Sequence, residues 1–388
     1  MNKLNIAVVF GSRSAEHDVS IVTAIVSIIK PLELTGDYNV IPVYISKDGN
    51  WYSDNKLKDI NVYSGDKLTS LLSHLKPISL GFSNGLQIIQ SGFSKKSINI
   101  DLVFPATHGT HGEDGELMAI CEMANVAYVG CDVRSSSVAM DKVLAKQVIQ
   151  SSGIDITKYV AFSKHDFLKD TTTSLRTINS ELTYPVFVKP AHLGSSIGIT
   201  RVKESKDLEN AIEVALHYDD KVLVEEEVSN LVEVTLPILG NQELTPALLE
   251  QPMLHAEDFF DFDTKYLRGG KKGGKGKSSS GSQGYSIIPA KLPKDLYDKA
   301  EATGLRVYKA LGCSGIARVD MLIDTKTNKV YFNEANPLPG GLYAHNWNKA
   351  GMTNIDLVSR LVELAIERKA ERDSVETVFK TSYLSQFK

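Results

Sequence analysis

Cysteine is scarce in this sequence, and long apolar segments are missing. The three cysteines, Cys121, Cys131 and Cys313, are far apart and form no CxxC pair. Neither a disulfide framework nor a zinc site is indicated, and we expect small buried side chains instead. No apolar run approaches the ~18 residues that span a bilayer, and the first residues predict a strand rather than a signal peptide. We therefore expect a cytoplasmic protein that binds no membrane.

An excess of positive charge is also missing. The chain has 43 Lys and Arg residues against 47 Asp and Glu residues, which gives a formal net charge of -4. We therefore expect no nucleic-acid partner, and any anionic ligand should be small. With 42% hydrophobic and 23% charged residues the composition is globular. A length of 388 residues exceeds one ordinary core, so we expect two or three packed units.

Hydrophobic patterning in the first third alternates between strands and helices. The apolar run 4–10 ends at Gly11 and is followed by apolar residues at helical spacing. With further apolar runs at 40–45 and 102–105, this alternation predicts a doubly wound parallel sheet. We interpret residues 54–99, which are weakly patterned, as insertions and surface hairpins.

The rest of the chain predicts two more units. A small α+β module has strands at 159–162, 185–189 and 221–225 and a helix at 207–217. The last unit contains strands at 319–323 and 330–333. It also contains an amphipathic helix over 354–371, whose apolar stripe is Ile355, Val358, Leu361, Val362 and Ile366.

One segment stands apart in composition. Residues 269–284 contain only Gly, Lys, Ser and one Gln, so they have no apolar side chains with which to form a core. The segment is interpreted either as a solvated loop or as a lid over an anionic ligand.

Polar side chains are concentrated on two strands that a turn joins. Period-two alternation places Arg318 and Asp320 on one face of the first strand, and Glu334 and Asn336 on one face of the second. Two carboxylates and an amide oxygen suit Mg²⁺ or Mn²⁺. The alternative is a polar hairpin face in solvent.

A glycine- and serine-rich loop follows the strand that contains Lys189. It is not a Walker A motif, because GxxxxGK[ST] is absent and no helix is predicted after it. Its N–H groups and hydroxyls could cover phosphates, or the segment could be an ordinary hairpin. Glu225 and Glu233 follow, and could bind a ribose or lie on a solvated edge.

Taken together, these segments resemble the ATP-grasp superfamily and, within it, the D-alanine–D-alanine ligase family, over nearly the whole chain. Residues 10–20, FGSRSAEHDVS, are similar to the N-terminal signature of the family. The other matching motifs are His108-Gly109, residues 112–115, 140–142, 188–190 and 194–196, Lys265-Tyr266, and residues 318–320 and 333–336. The resemblance implies an α/β and α+β protein with an N-terminal doubly wound domain (1–134), a small ATP-grasp subdomain (135–230) and a large catalytic, metal-binding domain (231–388).

The resemblance also implies a role for each site residue. The ATP-binding residues would be Lys142, Lys189, Ser196, Glu225, Glu233 and Lys265. Two Mg²⁺ or Mn²⁺ ions would be bound by Asp320, Glu334 and Asn336. The catalytic group would be Glu16, Ser195, Tyr266, Arg318 and Gly340, and His108 would lie near the carboxylate of the first substrate.

The reaction that the resemblance implies is ATP-dependent ligation of two D-alanines for peptidoglycan precursor synthesis. A carboxylate becomes an acyl phosphate, which the second amine attacks, and residues 257–284 would be the lid that excludes water. The resemblance further implies a homodimer.

Two features depart from the family pattern. By position, His345 replaces a serine that holds the carboxylate of the second substrate, and the lid is longer than usual. The alternatives are therefore a ligase with another acceptor, namely a different D- or L-amino acid or a D-hydroxy acid, and a nucleotide-binding regulator without turnover. Tyr266 favours an amino acid as acceptor.

Overall fold

The computed structural model describes residues 3–91, 96–252 and 286–387. The predicted lid at 257–284, and with it Lys265 and Tyr266, lies outside these residues. Within the described residues, most strands belong to three sheets of four or five strands, and each sheet falls inside one of the three predicted units. The unit boundaries themselves stay predictions.

The first sheet is the predicted doubly wound one, with strand order β3-β2-β1-β7-β8. β1 runs parallel to both β2 and β7. Ile6, Val8 and Phe10 pack into a core on one face, and Ala7 and Val9 into a core on the other. Because both faces are covered, β1 is apolar throughout rather than alternating. The strands are Leu4–Gly11 (β1), Tyr38–Ile45 (β2), Trp51–Tyr52 (β3), Leu102–Pro105 (β7) and Ala127–Tyr128 (β8).

The helices of this unit cover the sheet. They are α1 (His17–Val22), α2 (Lys30–Thr35), α3 (Lys67–His74) and α4 (Glu116–Met123), with a π-helical stretch at Thr23–Ile29 and 3-10 turns at Asn55–Lys58 and Ile60–Tyr63. The next helix, α5 (Val133–Met140), packs through Ala139 into the core of the last unit. The predicted hairpins are confirmed, because β4 (Ser79–Gly81), β5 (Leu86–Gln90) and β6 (Lys96–Ile100) form an antiparallel sheet. Their placement at the surface was predicted wrongly, since Leu86 and Ile88 are buried in a core shared with β1. All three cysteines are buried and free, as expected.

The second sheet is antiparallel, with strand order β11-β10-β12-β9. Val186, Val188 and Val224 on its inner face pack against Leu208 and Ile212 of a helix. The strands are β9 (Tyr159–Ser163), β10 (Val186–Pro190), β11 (Thr200–Val202) and β12 (Lys221–Glu226). The helices are α6 (Lys142–Ser151), α7 (Lys164–Lys169), α8 (Thr171–Glu181) and α9 (Leu208–Tyr218), with a 3-10 turn at Ser205–Asp207.

The third sheet has the order β14-β13-β17-β18. The predicted hairpin is confirmed as β17 and β18, with Arg318 opposite Asn336 and Asp320 opposite Glu334. The strands are β13 (Leu231–Gly240), β14 (Thr245–Pro246), β17 (Gly315–Asp324) and β18 (Lys329–Asn336), and β15 (Gln251–Pro252) pairs with β16 (Ser286–Ile287). The helices are α10 (Lys294–Ala310), α11 (Ala344–Lys349) and α12 (Asn354–Asp373), with 3-10 turns at Gly340–Tyr343 and Tyr383–Phe387.

The apolar stripe of α12 differs in part from the prediction. Val358, Leu361 and Val362 are buried as expected, but Ile355 and Ile366 are 38% and 44% exposed. These two lie at the edge of the stripe, and Leu357, Leu364 and Ala365 complete the buried face instead. The helix packs with the core of the first sheet, so it joins the chain's last unit to its first. Among the described residues, no helix is both long and apolar enough to cross a bilayer.

Candidate active site

The β17–β18 hairpin gathers the predicted metal-binding residues. The carboxylate of Asp320 accepts two hydrogen bonds from Arg318, at 2.7 Å from Nε and 2.6 Å from Nη2. The side-chain amide of Asn336 donates to the same carboxylate at 3.2 Å. A register shift directly after Asp320 interrupts the ladder, and such bulges redirect side chains next to active sites. Glu334 lies opposite Asp320, so the oxygen atoms are grouped as the alternation predicts.

Two lysines reach this hairpin from the second sheet and its first helix. Lys142 Nζ is 3.3 Å from the Glu334 carboxylate and donates to the Leu193 carbonyl at 2.6 Å. Lys189 Nζ donates to Asn333 Oδ1 at 3.3 Å. Lys142 has a fixed position because Asp141 caps α6 through the Val143 and Leu144 N–H groups. A lysine of α6 therefore faces a carboxylate of the hairpin, and a lysine of the second sheet faces an amide oxygen of the hairpin.

A buried ion-pair group supports Lys189. The Glu225 carboxylate bridges Lys189 and Lys146, with Lys146 Nζ at 2.8 Å, and also accepts from Thr157 Oγ1 at 2.6 Å. Burial alone would raise the pKa of Glu225, but the two lysines hold it well below its ordinary value. The side chain of Glu225, predicted to bind ATP, thus holds an ATP-binding lysine in place.

The charge states within this group follow from burial and from nearby carboxylates. Burial lowers the pKa of Lys146. For Lys189, burial acts in the same direction, but Glu225, then Glu334 and Glu233, raise its pKa. Glu233 on β13 is therefore close enough to act on Lys189. Sequence reasoning missed Lys146; its spacing of four residues from Lys142 on one helix was the available signal.

A second cluster joins the N-terminal unit to the glycine- and serine-rich loop. The Ser195 hydroxyl donates a short hydrogen bond to the Glu16 carboxylate. The loop approaches closely, since a Cβ atom at Gly194 would lie 3.3 Å from Glu16 Oε2. Ser195 and Ser196 both have left-handed backbones, with φ of 54° and 61°, which are enriched at functional sites. The predicted pair Glu16 and Ser195 is thus brought together across 179 residues of sequence.

His108 lies beside this pair. Its Nε2 is 2.9 Å from Thr23 Oγ1, which accepts from the Gly341 N–H, also at 2.9 Å. Thr23 therefore links His108 to the turn that begins at Gly340. Glu113 accepts a hydrogen bond from the Gly109 N–H at 2.9 Å. The pKa of Glu16 is raised, mainly by its burial and to a smaller extent by the negative charge of Glu113. Thr23 and Glu113 were not predicted as site residues, although Glu113 lies in a recognised motif.

His345 lies near the strand that contains Asp320, because its partner Glu250 pairs with Thr235, which lies opposite Asp320. Its Nε2 is 2.8 Å from the Glu250 carboxylate, and its ring centroid is 4.5 Å from that of Tyr343. The Arg318 guanidinium lies over the same Tyr343 ring, 5.2 Å from its centroid. Leu342 and Tyr343 have φ of 55° and 53°, which turns the chain sharply between Gly340 and His345. Glu250 and Tyr343 were missed by sequence reasoning.

The donor set of the hairpin fits a hard divalent cation. Two carboxylates and an amide oxygen are the ligands that Mg²⁺ and Mn²⁺ prefer. In this structure the charges of Asp320 and Glu334 are balanced by Arg318 and Lys142. Lysines, an arginine and oxygen ligands in one site are the groups that phosphoryl transfer from a nucleoside triphosphate requires.

Comparisons with known proteins identify the family. Residues 5–131 match the family model described as D-ala D-ala ligase N-terminus, and residues 148–363 match the one described as D-ala D-ala ligase C-terminus. The D-alanine–D-alanine ligase of Chloroherpeton thalassium is 35% identical over 382 residues, covering 96% of this chain and 99% of that protein. That of Caldicellulosiruptor bescii is 34% identical, covering 97% and 98%. The chain belongs to the D-alanine–D-alanine ligase family.

Solved structures agree with this assignment. The VanG D-Ala:D-Ser ligase from Enterococcus faecalis has a TM-score of 0.77 at 31% identity, covering 94% of this chain and 100% of that one. The D-alanine–D-alanine ligase from Coxiella burnetii also has a TM-score of 0.77, at 28% identity, covering 96% and 97%. The predictions of the family, of the ATP-grasp fold and of an ATP-dependent ligase are confirmed. The roles of individual residues stay predictions.

Proposed function

We propose that this protein ligates two D-alanines to D-alanyl-D-alanine, with ATP converted to ADP and phosphate, as a step in peptidoglycan precursor synthesis in the cytoplasm. The observation that carries the proposal is the facing arrangement of Lys142 with Glu334 and of Lys189 with Asn333. The charge of Glu334 acts on the pKa of both Glu16 and Arg318, so the Glu16–Ser195 pair and Arg318 lie near this arrangement. Together these groups provide positive charge for phosphates, oxygen ligands for a cation and a separate site for an amino acid.

The nucleotide would lie between the second and third sheets. Lys142 and Lys189 would bind its phosphates, with N–H groups and the Ser196 hydroxyl of the glycine- and serine-rich loop, and Glu233 would bind the ribose. The Glu225 carboxylate would keep Lys189 in place, since it holds that ammonium directly. Lys265, outside the described residues, is proposed to reach the transferred phosphoryl group.

Asp320, Glu334 and Asn336 would hold the divalent cations, which we propose to be two Mg²⁺ ions. When bound, such ions neutralise charge on the phosphate oxygens during transfer. Arg318, which in this structure contacts Asp320, would then be released toward the substrate.

The first amino acid would bind beside Glu16 and His108. Glu16 would accept from its ammonium group, and His108, oriented by Thr23, would lie near its carboxylate. A carboxylate oxygen of this amino acid attacks the γ-phosphorus of ATP, and the bond from that phosphorus to the bridging oxygen breaks. ADP is released, and the product is an acyl phosphate.

The second step forms the amide. The free amine of the second amino acid attacks the acyl carbon, and the tetrahedral oxyanion would be stabilised by Arg318 and a backbone N–H near Gly340. The carbon–oxygen bond to phosphate then breaks, phosphate leaves and the amine loses a proton. Positioning and charge neutralisation provide most of the catalysis in this scheme.

A second candidate keeps the mechanism and changes the acceptor to D-serine. It is favoured by His345, where the family has a serine, and by the named activity of the VanG structure. We further propose a homodimer, as implied by the family resemblance.

The experiment is phosphate release from ATP and Mg²⁺ with a panel of D- and L-amino acids and D-lactate, with product masses recorded. D-alanine alone should give the dipeptide mass. Turnover only with D-alanine and a different second substrate would mean that the acceptor is not D-alanine. The absence of phosphate release with every pair would favour a nucleotide-binding regulator without turnover. Glu334→Gln and Arg318→Ala should abolish phosphate release, whereas exposed Glu204→Gln should not; wild-type turnover in either of the first two would contradict the proposed roles.

A further inference from the structure

The acceptor side of the cleft contains a buried acid–imidazole pair. Glu250 is 4% exposed, and one oxygen of its carboxylate lies 2.8 Å from His345 Nε2. Glutamate is almost never buried without a partner, so its presence at this position requires a reason. Its location beside a histidine that departs from the family pattern suggests a role in substrate binding.

Glu250 is held rigidly from both sides. Its backbone exchanges two hydrogen bonds with Thr235, at 2.8 and 2.9 Å, and Thr235 lies opposite Asp320 on the neighbouring strand. Its carboxylate also accepts from Asn346 at 3.1 Å. Burial alone would raise the pKa of Glu250, but His345, Asn346 and Ser286 hold it below its ordinary value. The carboxylate is therefore ionised and acts as an acceptor.

An ionised carboxylate at Nε2 requires a proton on that nitrogen, so Nε2 donates to Glu250 and Nδ1 is the nitrogen that remains for a ligand. A carboxylate only accepts hydrogen bonds, so Nδ1 binds one when it also carries a proton, that is, as an imidazolium whose charge Glu250 balances. The ring cannot rotate freely, because it lies 4.5 Å from Tyr343, and the Tyr343 hydroxyl is 3.1 Å from Thr235 Oγ1.

The contact between His345 and Tyr343 extends to a residue of the proposed reaction centre. Arg318, proposed to stabilise the tetrahedral intermediate, lies 5.2 Å from the Tyr343 ring centroid. Arg318, Tyr343, His345 and Glu250 thus form a continuous series from the reaction centre into the protein interior. A carboxylate bound to His345 would lie next to the amine that attacks the acyl phosphate.

We propose that Glu250 is a positioning residue for the acceptor: it holds His345 as an imidazolium whose Nδ1–H donates to the carboxylate of the second amino acid. The inference rests on the proposed ligase function and deepens it. A serine hydroxyl can rotate to suit its ligand, whereas an imidazole binds a carboxylate through Nδ1 only when both nitrogens are protonated and the ring is held in one orientation, which a buried anion at Nε2 favours. His345 therefore depends on the buried acid at Glu250 in a way that a serine would not.

The first test is Glu250→Gln, which keeps the shape of the side chain and removes its charge. We expect the KM for the second amino acid to rise about tenfold, as for loss of one charge-assisted hydrogen bond, with the KM for ATP and for the first amino acid unchanged. The matched control is Glu243→Gln, the same change at an exposed glutamate of the same segment, which should leave all three values unchanged.

A purely structural role for Glu250 is tested by a double-mutant cycle. In a His345→Ser background, which restores the residue type of the family, Glu250→Gln should change the acceptor KM less than twofold. An equal change in both backgrounds, or a change in kcat or in the KM for ATP instead, would overturn the inference. An inactive wild type would overturn the proposed function and this inference with it, whereas an active wild type with unchanged acceptor KM in Glu250→Gln would overturn the inference alone.

Nitrogen-15 NMR of His345 gives a readout without turnover. With ADP and Mg²⁺ bound, adding D-alanine should shift the Nδ1 resonance in the wild type and not in Glu250→Gln. Should His345→Ser be inactive, this measurement decides: a Nδ1 resonance that does not respond in the wild type contradicts carboxylate binding by His345.

Discussion

At the scale of single residues, Glu225 combines stability and function. Its carboxylate lies between the buried ammonium groups of Lys146 and Lys189. Glu225→Gln would leave two cations without their counterion, and breaking a buried ion pair in this way costs about 3–5 kcal/mol. We expect the free energy of unfolding, measured in urea, to fall by that amount.

The control for Glu225 is an exposed ion pair. Glu204→Gln removes the partner of Lys206, where both side chains are more than half exposed, and should change the free energy of unfolding by less than about 1 kcal/mol. Equal effects of the two substitutions would mean that the Glu225 group contributes no more than a surface pair.

His192 predicts a pH dependence of stability. Its ring nitrogens lie 2.8 Å from Asp219 and 3.3 Å from Asp141, and these hydrogen bonds raise its pKa to about 9 from an ordinary value of 6.5. A pKa raised by folding gives a stabilisation that is complete below pH 6.5 and is lost as the pH rises through about 9. Asp141 caps the helix that begins with Lys142, so the contact between His192 and Asp141 also supports the proposed ATP site.

The measurement is the thermal midpoint of unfolding between about pH 6.5 and pH 9.5. The midpoint should fall over this interval in the wild type, and His192→Gln should show a smaller fall. Parallel profiles for the two proteins would show that His192 does not contribute.

At the scale of elements, α12 fastens the last part of the chain to the N-terminal sheet. The Arg368 guanidinium donates to the Tyr128 carbonyl at 2.8 Å, to Ser314 Oγ at 2.6 Å and to the Gly130 carbonyl, and it lies 4.3 Å from the Tyr128 ring centroid. Arg368→Ala would remove a charged donor from all three acceptors. We expect a loss of about 2 kcal/mol in the free energy of unfolding.

Arg360 on the same helix is the matched control. It forms exposed ion pairs with Glu363 and Glu367, and Arg360→Ala should cost less than about 1 kcal/mol. Chemical unfolding of both variants compares them, and an equally small loss for Arg368→Ala would mean that the helix is held by its apolar face alone.

The elements also differ in how much the sequence predicts. The β17–β18 hairpin was predicted from alternation alone, because its period is local. The burial of Ile355 and Ile366 was predicted wrongly, because the edge of an apolar stripe depends on which neighbours cover it. The Lys146–Glu225 pair joins residues 79 positions apart (225 minus 146), and the Glu250–His345 pair joins residues 95 apart, so no local pattern indicates either contact. Glu16 and Ser195 were paired correctly only through the family resemblance.

At the scale of the whole molecule, a nucleotide should couple the second and third sheets. The proposed phosphate ligands Lys142 and Lys189 come from the second unit, and the proposed metal ligands Asp320 and Glu334 come from the third. A ligand that binds only the native state stabilises it by about 2.7 kcal/mol at 100 times its Kd. ADP with Mg²⁺ should therefore raise the thermal midpoint by several degrees.

The contributions of metal and nucleotide can be separated by two changes. A chelator should remove the metal-dependent part of the shift, and Glu334→Gln should lose that same part while keeping the shift that ADP gives alone. Lys189→Ala should instead weaken the shift with and without Mg²⁺, because its ammonium would contact the phosphates directly. If Glu334→Gln retained the full Mg²⁺-dependent shift, the cations would be held elsewhere; if Lys189→Ala retained the full shift, the phosphates would not lie between the two sheets.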